Sequence, residues 1–163
     1  MNDVDALATR PARIGDYPAL CVLWRAMDEL HAQFLPSYFR RAPGPPKSLA
    51  EVDRILGAPD ELLRIAERDG ELVGLVHALL YDTPPIPAMT PARRAHVDSL
   101  VVRPEMRRRG IGRQLMAEVQ SWAEAKGANE IVLTVWSGNL EAEAFYLGLG
   151  FGAVNRVLGK RLL

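Results

Sequence analysis

The sequence predicts a mixed α/β (α+β) domain, with a central, mostly antiparallel sheet of six to seven strands flanked by about four helices. Three observations carry this reading. Glu61–Glu67 and Leu72–Tyr81 are apolar, strand-forming runs on either side of Asp69-Gly70, the dipeptide that closes tight hairpins, so the first half of the sheet pairs antiparallel. Between residues 96 and 136 a strand, a helix and a second strand follow one another, an order that makes the two strands parallel. The chain has 163 residues, 48% apolar and 25% charged, which suits one domain, 1–163, with a proper core.

The elements follow in order. Ala6–Arg10 is a short strand stopped by Pro11. Asp16 is placed to cap a helix with Pro18 in its first turn, where a missing N–H costs little. Leu20, Leu23, Trp24, Met27, Leu30 and Phe34 then recur at helical spacing until Pro36. Pro36, Pro43, Pro45 and Pro46 make 36–46 a loop. Ser48 and Glu51 form a capping box for a short helix through Leu56, closed by Gly57 and Pro59. After the hairpin, Pro84, Pro85, Pro87 and Pro91 make 82–93 a second loop. His96–Val102 is a strand stopped by Pro104. Ile111, Leu115, Met116, Val119, Trp122 and Ala123 form a helical stripe that ends at Gly127. Glu130–Trp136 reads as a strand buried on both faces, Asn139–Leu147 as a helix, and Gly150–Leu163 as one or two final strands.

Composition excludes several functions. Twenty basic and twenty acidic residues cancel, whereas a general nucleic-acid binder is usually basic. Arg107–Arg109, Arg93, Arg94, Arg40 and Arg41 are local basic positions, but no zinc-ligand cluster or aromatic interleaving accompanies them. The lone Cys21 rules out an internal disulfide and fits a reducing compartment. It lies beside the apolar stripe of the first helix, as a buried, inert thiol would, so an acyl-cysteine route is not expected. No basic start with an apolar run marks a signal peptide, and no stretch approaches the ~20 apolar residues of a membrane span. The expectation is a cytoplasmic protein with no membrane or nucleic-acid partner and no metal.

Two motifs carry chemistry. Arg107-Arg108-Arg109-Gly110-Ile111-Gly112 lies between a strand and a helix. Glycines let the backbone approach a ligand, and the helix aims its free N–H groups and positive dipole end at the turn, which suits a phosphate or pyrophosphate. The same residues would also serve as a tight turn with a solvated basic run. The third glycine of the dinucleotide fingerprint is replaced by Leu115, and no P-loop Gly-Lys-Ser/Thr is present. The second motif is Asn139-x-x-Ala142-x-x-Phe145-Tyr146-x-x-Leu149-Gly150-Phe151. Phe145 and Leu149, four apart, are core positions. Asn139 is a helix N-cap, a role compatible with touching a ligand.

Together the two motifs resemble those of the GNAT superfamily of N-acetyltransferases. That family shows Gln/Arg-x-x-Gly-x-Gly/Ala after its fourth strand, matched by Arg107, Gly110 and Gly112. It also shows Asn-x-x-Ala-x-x-aromatic-Tyr-x-x-Leu-Gly-Phe, matched from Asn139 to Phe151. The resemblance covers about Val97–Phe151. It implies a splayed parallel strand pair holding acyl-CoA, with acetyl-CoA as donor. Backbone groups of Leu100, Val101 and Val102 would pair with the pantetheine arm, Arg107 would stand at the head of the phosphate turn, and the N–H groups of Arg108, Arg109, Gly110, Ile111, Gly112 and Arg113 would hold the pyrophosphate. Asn139 would touch the pantetheine region. Tyr146 would act as general acid toward the leaving thiolate, a task suited to a phenol of pKa ~10.

The acceptor amine must be neutral to attack, so it needs a base, direct or through water. His96 and Asp98 are two apart on one strand and share a face, His96 as the base and Asp98 orienting it or binding the amine. Both would also serve as ordinary polar residues near a strand edge. His31 and His77 read as structural. The expected reaction is direct transfer from acetyl-CoA to a primary amine of a small molecule or peptide, with a non-catalytic acyl-CoA sensor as the alternative and a homodimer as a possible state. In the family the two proline-rich loops wall the acceptor site. Here they hold Tyr38, Phe39, Arg40, Arg41, Arg93 and Arg94, which suit an acceptor bearing a carboxylate or phosphate better than a polycationic aminoglycoside.

Overall fold

A computed structural model describes residues 7–162. The strands are β1 (Ala8–Pro11), β2 (Glu61–Arg68), β3 (Glu71–Asp82), β4 (Arg93–Val102) and β5 (Glu130–Leu133). The helices are α1 (Tyr17–Phe34), α2 (Leu49–Gly57), α3 (Ile111–Ala125) and α4 (Leu140–Leu147). They form a mixed α/β fold around one five-stranded sheet, ordered β1-β2-β3-β4-β5. The first three pairings are antiparallel and β4–β5 is parallel.

The hairpin of β2 and β3 turns at Asp69 (φ 53°) and Gly70 (φ 77°), both left-handed as the tightest hairpin turn requires. One face of the sheet carries Leu63, Ile65, Leu75 and Val101 and packs on Leu20, Leu23 and Trp24 of α1 and Val52 and Ile55 of α2. The other face carries Ala66, Val76, Ala78 and Val97 and packs on Ile111, Leu115, Met116 and Val119 of α3. Burying an aliphatic side chain of this kind stabilises by roughly 1.5–3 kcal/mol, so the two layers hold the sheet rigid from both sides.

Several expectations need correction. The sheet has five strands among the described residues rather than six to seven, because residues 152–162 form no strand. Val154, Val157 and Leu158 are strand formers, but at 76%, 92% and 92% exposure they have no neighbour to pair with or pack on. The strand expected over Glu130–Trp136 ends at Leu133 and is half-buried, because β5 is an edge strand and Trp136 instead packs edge-on against Phe39 at 4.8 Å. Asp16 makes no side-chain cap of α1; its carboxylate accepts from Arg10 at 2.8 and 2.9 Å and from the backbone N–H of Arg13 at 2.8 Å. The capping box expected for α2 is half formed: the Glu51 N–H donates to Ser48 Oγ at 3.1 Å, but the Glu51 carboxylate turns to Lys47 Nζ at 3.4 Å instead of the Ser48 N–H. Ala6, at the start of the first predicted strand, lies outside the described residues.

Candidate active site

Two irregularities of the sheet make the site. First, β5 pairs with β4 only over Arg94–Val97, while β4 runs on to Val102. Beyond Val97 the outer edge of β4 has no strand partner among the described residues, so Leu100–Val102 runs along an open edge on which only the Val102 carbonyl is met, by the Arg107 side chain. Second, β3–β4 pairing shifts register between His77 and Ala78. His77 faces Ser99 and Ala78 faces Val97, which leaves Asp98 without a partner across the ladder. Such a bulge re-aims side chains. Here it turns Asp98 toward the α1–α2 side, where Ser99 also accepts from Trp24 Nε1 at 3.0 Å.

The open edge leads to the glycine turn. Gly110 is the N-cap of α3 with φ 81°, and a side chain there would meet open space but a strained backbone. Arg108 is left-handed as well (φ 61°). This turn exposes the first N–H groups of α3, a ready anion site. Gly112 has a different reason to be glycine: a Cβ there would lie 3.2 Å from Phe145 Cζ, so the missing side chain lets α4 pack on the start of α3. Arg107 donates to the Val102 carbonyl at 3.3 Å and pairs with Glu141 at 3.3 Å; Arg108 lies 3.9 Å from the same carboxylate. Arg109 and Arg113 are exposed.

On α4, Asn139 accepts from the Ala142 N–H at 3.1 Å, which leaves its amide donors available. The partly buried Tyr146 ring packs between Phe145 and Phe151, at 5.1 and 5.6 Å between centroids. Burial pushes its phenol up to about 12, so it carries its proton throughout the neutral range.

The polar groups gather on the α1–α2 side of the bulge. His77, 4% exposed, has Asp98 Oδ2 3.1 Å from Nδ1 and Glu61 Oε2 2.8 Å from Nε2. Both ring nitrogens thus lie at hydrogen-bond distance from a carboxylate oxygen. Glu61 also pairs with Arg54, and Lys47 Nζ lies 3.6 Å from Asp98 Oδ2 and 3.4 Å from Glu51 Oε1. The hydrogen bond from His77, helped by the Lys47 charge against the effect of burial, draws the Asp98 carboxyl down to about 2.

This alters the expected roles. Asp98 is bonded to His77 and not to His96, and its low pKa makes it a fixed anion rather than a proton acceptor near neutral pH. His96 is half-buried one residue before Val97, on the Asp98 side of β4, near enough for its charge to act on Asp98. His77 is no isolated core histidine but the centre of the carboxylate chain. Three of the four loop arginines face carboxylates of the chain, Arg93 on Asp60 (3.3 Å) and Asp82 (3.5 Å), Arg94 on Glu130, and the exposed Arg41 on Glu29 (3.7 Å), while Arg40 is exposed. Tyr38 and Phe39 instead join Trp136 in an aromatic cluster at the end of α1, with His31 5.0 Å from Phe39. Burial lowers the His31 pKa, opposed by Asp28. A depression of about 550 Å³ between β2 and α3, lined by Leu62, Arg64, Glu118 and Trp122, lies on the other face and holds an internal Arg64–Glu118 pair.

Sequence comparison matches residues 24–151 to the acetyltransferase (GNAT) family. A relative, aminoglycoside N(6')-acetyltransferase type 1 of Salmonella typhimurium, is 29% identical over 125 residues, 71% of this chain and 81% of its own. Among solved structures, a mutant of the BH1408 protein from Bacillus halodurans superposes with a TM-score of 0.90 at 23% identity, covering 96% of this chain and 99% of that one. The aminoglycoside N-acetyltransferase AAC(6')-Iy in complex with CoA superposes with a TM-score of 0.70 at 22% identity, covering 96% and 99%.

Proposed function

The chain belongs to the acetyltransferase (GNAT) family and is an acetyl-CoA-dependent N-acetyltransferase, and we propose that it transfers the acetyl group directly, in a ternary complex, to a primary amine of a small molecule. The observation that carries this reading is the coincidence of three features on β4: the open edge from Asp98 to Val102, the bulge at Asp98, and the α3 N-terminus at its end. An extended amide chain with a pyrophosphate at one end fits that geometry, because β-type hydrogen bonds serve the amides and helix N–H groups serve the phosphates.

The roles follow from the chemistry. Backbone groups of Leu100, Val101 and Val102 hold the pantetheine arm, and Asn139 contributes an amide donor. Arg107 and the turn Arg108–Arg113 bind the pyrophosphate. Acetyl-CoA supplies an activated thioester. Tyr146, protonated and partly buried, gives its proton to the departing thiolate sulfur. His96 takes the proton of the acceptor ammonium, directly or through water. Asp98, held as an anion by His77, attracts and orients that ammonium. Tyr146 favours catalysis over a sensor, which has no use for a proton donor there.

A small-molecule acceptor is favoured over a peptide by the aminoglycoside N(6')-acetyltransferase relatives. We take residues 1–163 as one acetyltransferase domain acting in the cytoplasm; among the described residues no helix is long and apolar enough to cross a membrane. A homodimer is the assembly proposed beside the monomer, read by sedimentation.

Calorimetric titration with acetyl-CoA, CoA and ATP tests the donor site. Micromolar binding of both CoA species and none of ATP is the expected result. Failure of both CoA species to bind would overturn the placement of the donor on β4.

A further inference from the structure

We propose that Lys47 is a specificity-determining residue on the acceptor side: its ammonium holds the place beside Asp98 that a second positive charge of an oligoamine acceptor would need, so the chain selects acceptors with a single amine. The inference rests on the acceptor reading above and goes beyond it. Lys47 is fixed at both ends. It follows Pro45-Pro46 and precedes the α2 cap, and its carbonyl accepts from Tyr17 Oη at 3.0 Å. Its side chain, 19% exposed, ends 3.6 Å from Asp98, 3.4 Å from Glu51 and 5.5 Å from the centre of the Trp24 ring. Trp24 is itself immobile, 1% exposed and bonded to Ser99. Two carboxylates and an indole face are the chemistry that recognises an alkylammonium. Here the chain fills that cage from within.

Three of the surrounding carboxylates already face cationic or imidazole groups of the chain, so a visitor shares Asp98 with Lys47. Asp98 is shared between His77 and Lys47, with His96 nearby; Glu61 is shared between His77 and Arg54; Glu51 faces Lys47. Asp28 of α1 also lies within electrostatic reach of Lys47, and burial has already raised its pKa. A monoamine brings one charge to Asp98 on the way to losing its proton. A diamine brings a second, which must meet the Lys47 ammonium or expel it. The aminoglycoside N(6')-acetyltransferase relatives act by name on polycations. Lys47 is the residue whose removal opens this site to acceptors of that charge.

The test titrates the CoA-loaded chain at low salt with 1-aminobutane and 1,4-diaminobutane by calorimetry. Lys47→Met keeps the apolar stem over Trp24 and removes the charge. It is expected to tighten 1,4-diaminobutane about tenfold and to move 1-aminobutane less than twofold, with CoA affinity unchanged as the check on folding. Lys47→Arg, which keeps the charge, should retain the wild-type preference. Lys126→Met, which removes a surface charge at the C-terminal end of α3 that donates to the Pro59 carbonyl and makes no ion pair with Asp98 or Glu51, should leave both affinities as they were. The inference is overturned if Lys47→Met tightens both amines equally, or if Lys126→Met gives the same gain. If CoA binds but neither amine binds any variant, the acceptor reading itself fails and the inference with it.

Discussion

Replacing Asp98 with Asn removes the anion at the bulge while keeping its shape, and the cost can be worked from the structure. Asp98 falls from 3.8 to about 2 in the folded chain. At 1.36 kcal/mol per pKa unit this is about 2.4 kcal/mol of stability at neutral pH. The side chain is 38% exposed, so solvent screening reduces the figure to about 1 kcal/mol. In a domain of this size that lowers the melting temperature by about 2–4 °C. The sign sets the pH window. A depressed carboxyl pKa stabilises above the unfolded value of 3.8 and loses that contribution as pH falls through about 2. About half should be gone by pH 3. Denaturant unfolding of wild type and Asp98→Asn at pH 7, 5 and 3 measures the gap, which should hold between 7 and 5 and narrow to about half at 3. A gap that stays constant down to pH 3 would refute the ionic account and leave only a packing effect of the substitution.

Three further outcomes follow from the same geometry. Tyr146→Phe should lower kcat by about 10²–10⁴ while leaving acetyl-CoA affinity within about twofold, because the phenol proton is needed only as the C–S bond breaks; unchanged turnover in a thiol-release assay would remove the general-acid role. Gly112→Leu forces a side chain into Phe145 and should destabilise by about 1–3 kcal/mol, read as a lower melting temperature; a melt equal to wild type would show that α4 does not rest on that glycine. Glu141→Gln frees Arg107 and Arg108 and, since such exposed pairs are worth only ~0.2–1 kcal/mol, should tighten CoA by less than about fivefold at low salt and not at all at high salt. Weaker CoA binding in that variant would mean that Glu141 positions the turn.

The order of elements up to α4 and the glycine turn before α3 were legible because each rests on local chemistry: Asp69-Gly70, the Ser48 cap, the α3 stripe and Gly110. The polar cluster was not, and the reason is register. A two-residue turn at Asp69-Gly70 pairs residue 62 with residue 77 and puts Glu61 and His77 on opposite faces. The register shift at Ala66/Glu67 instead pairs Leu63 with His77, which brings Glu61 to the His77 face. The shift at His77/Ala78 then leaves Asp98 out of the ladder and aims it at the same histidine. Sequence spacing placed His96 and Asp98 on one face correctly, but not the partner that claims Asp98. Lys47 comes from a loop whose path no periodicity reports. The tail of the chain failed for the opposite reason: Val154, Val157 and Leu158 have strand propensity, yet propensity without a neighbouring strand makes no sheet.

The most direct test of the account is thiol release by the purified chain with acetyl-CoA and a panel of simple primary amines, run for wild type and His96→Ala from pH 6 to 9. The account predicts amine-dependent release of one thiol per acetylated amine, with His96→Ala losing most of its rate at neutral pH and recovering as the amine deprotonates without help. Acetyl-CoA binding without amine-dependent release at any pH would contradict it and leave a sensor.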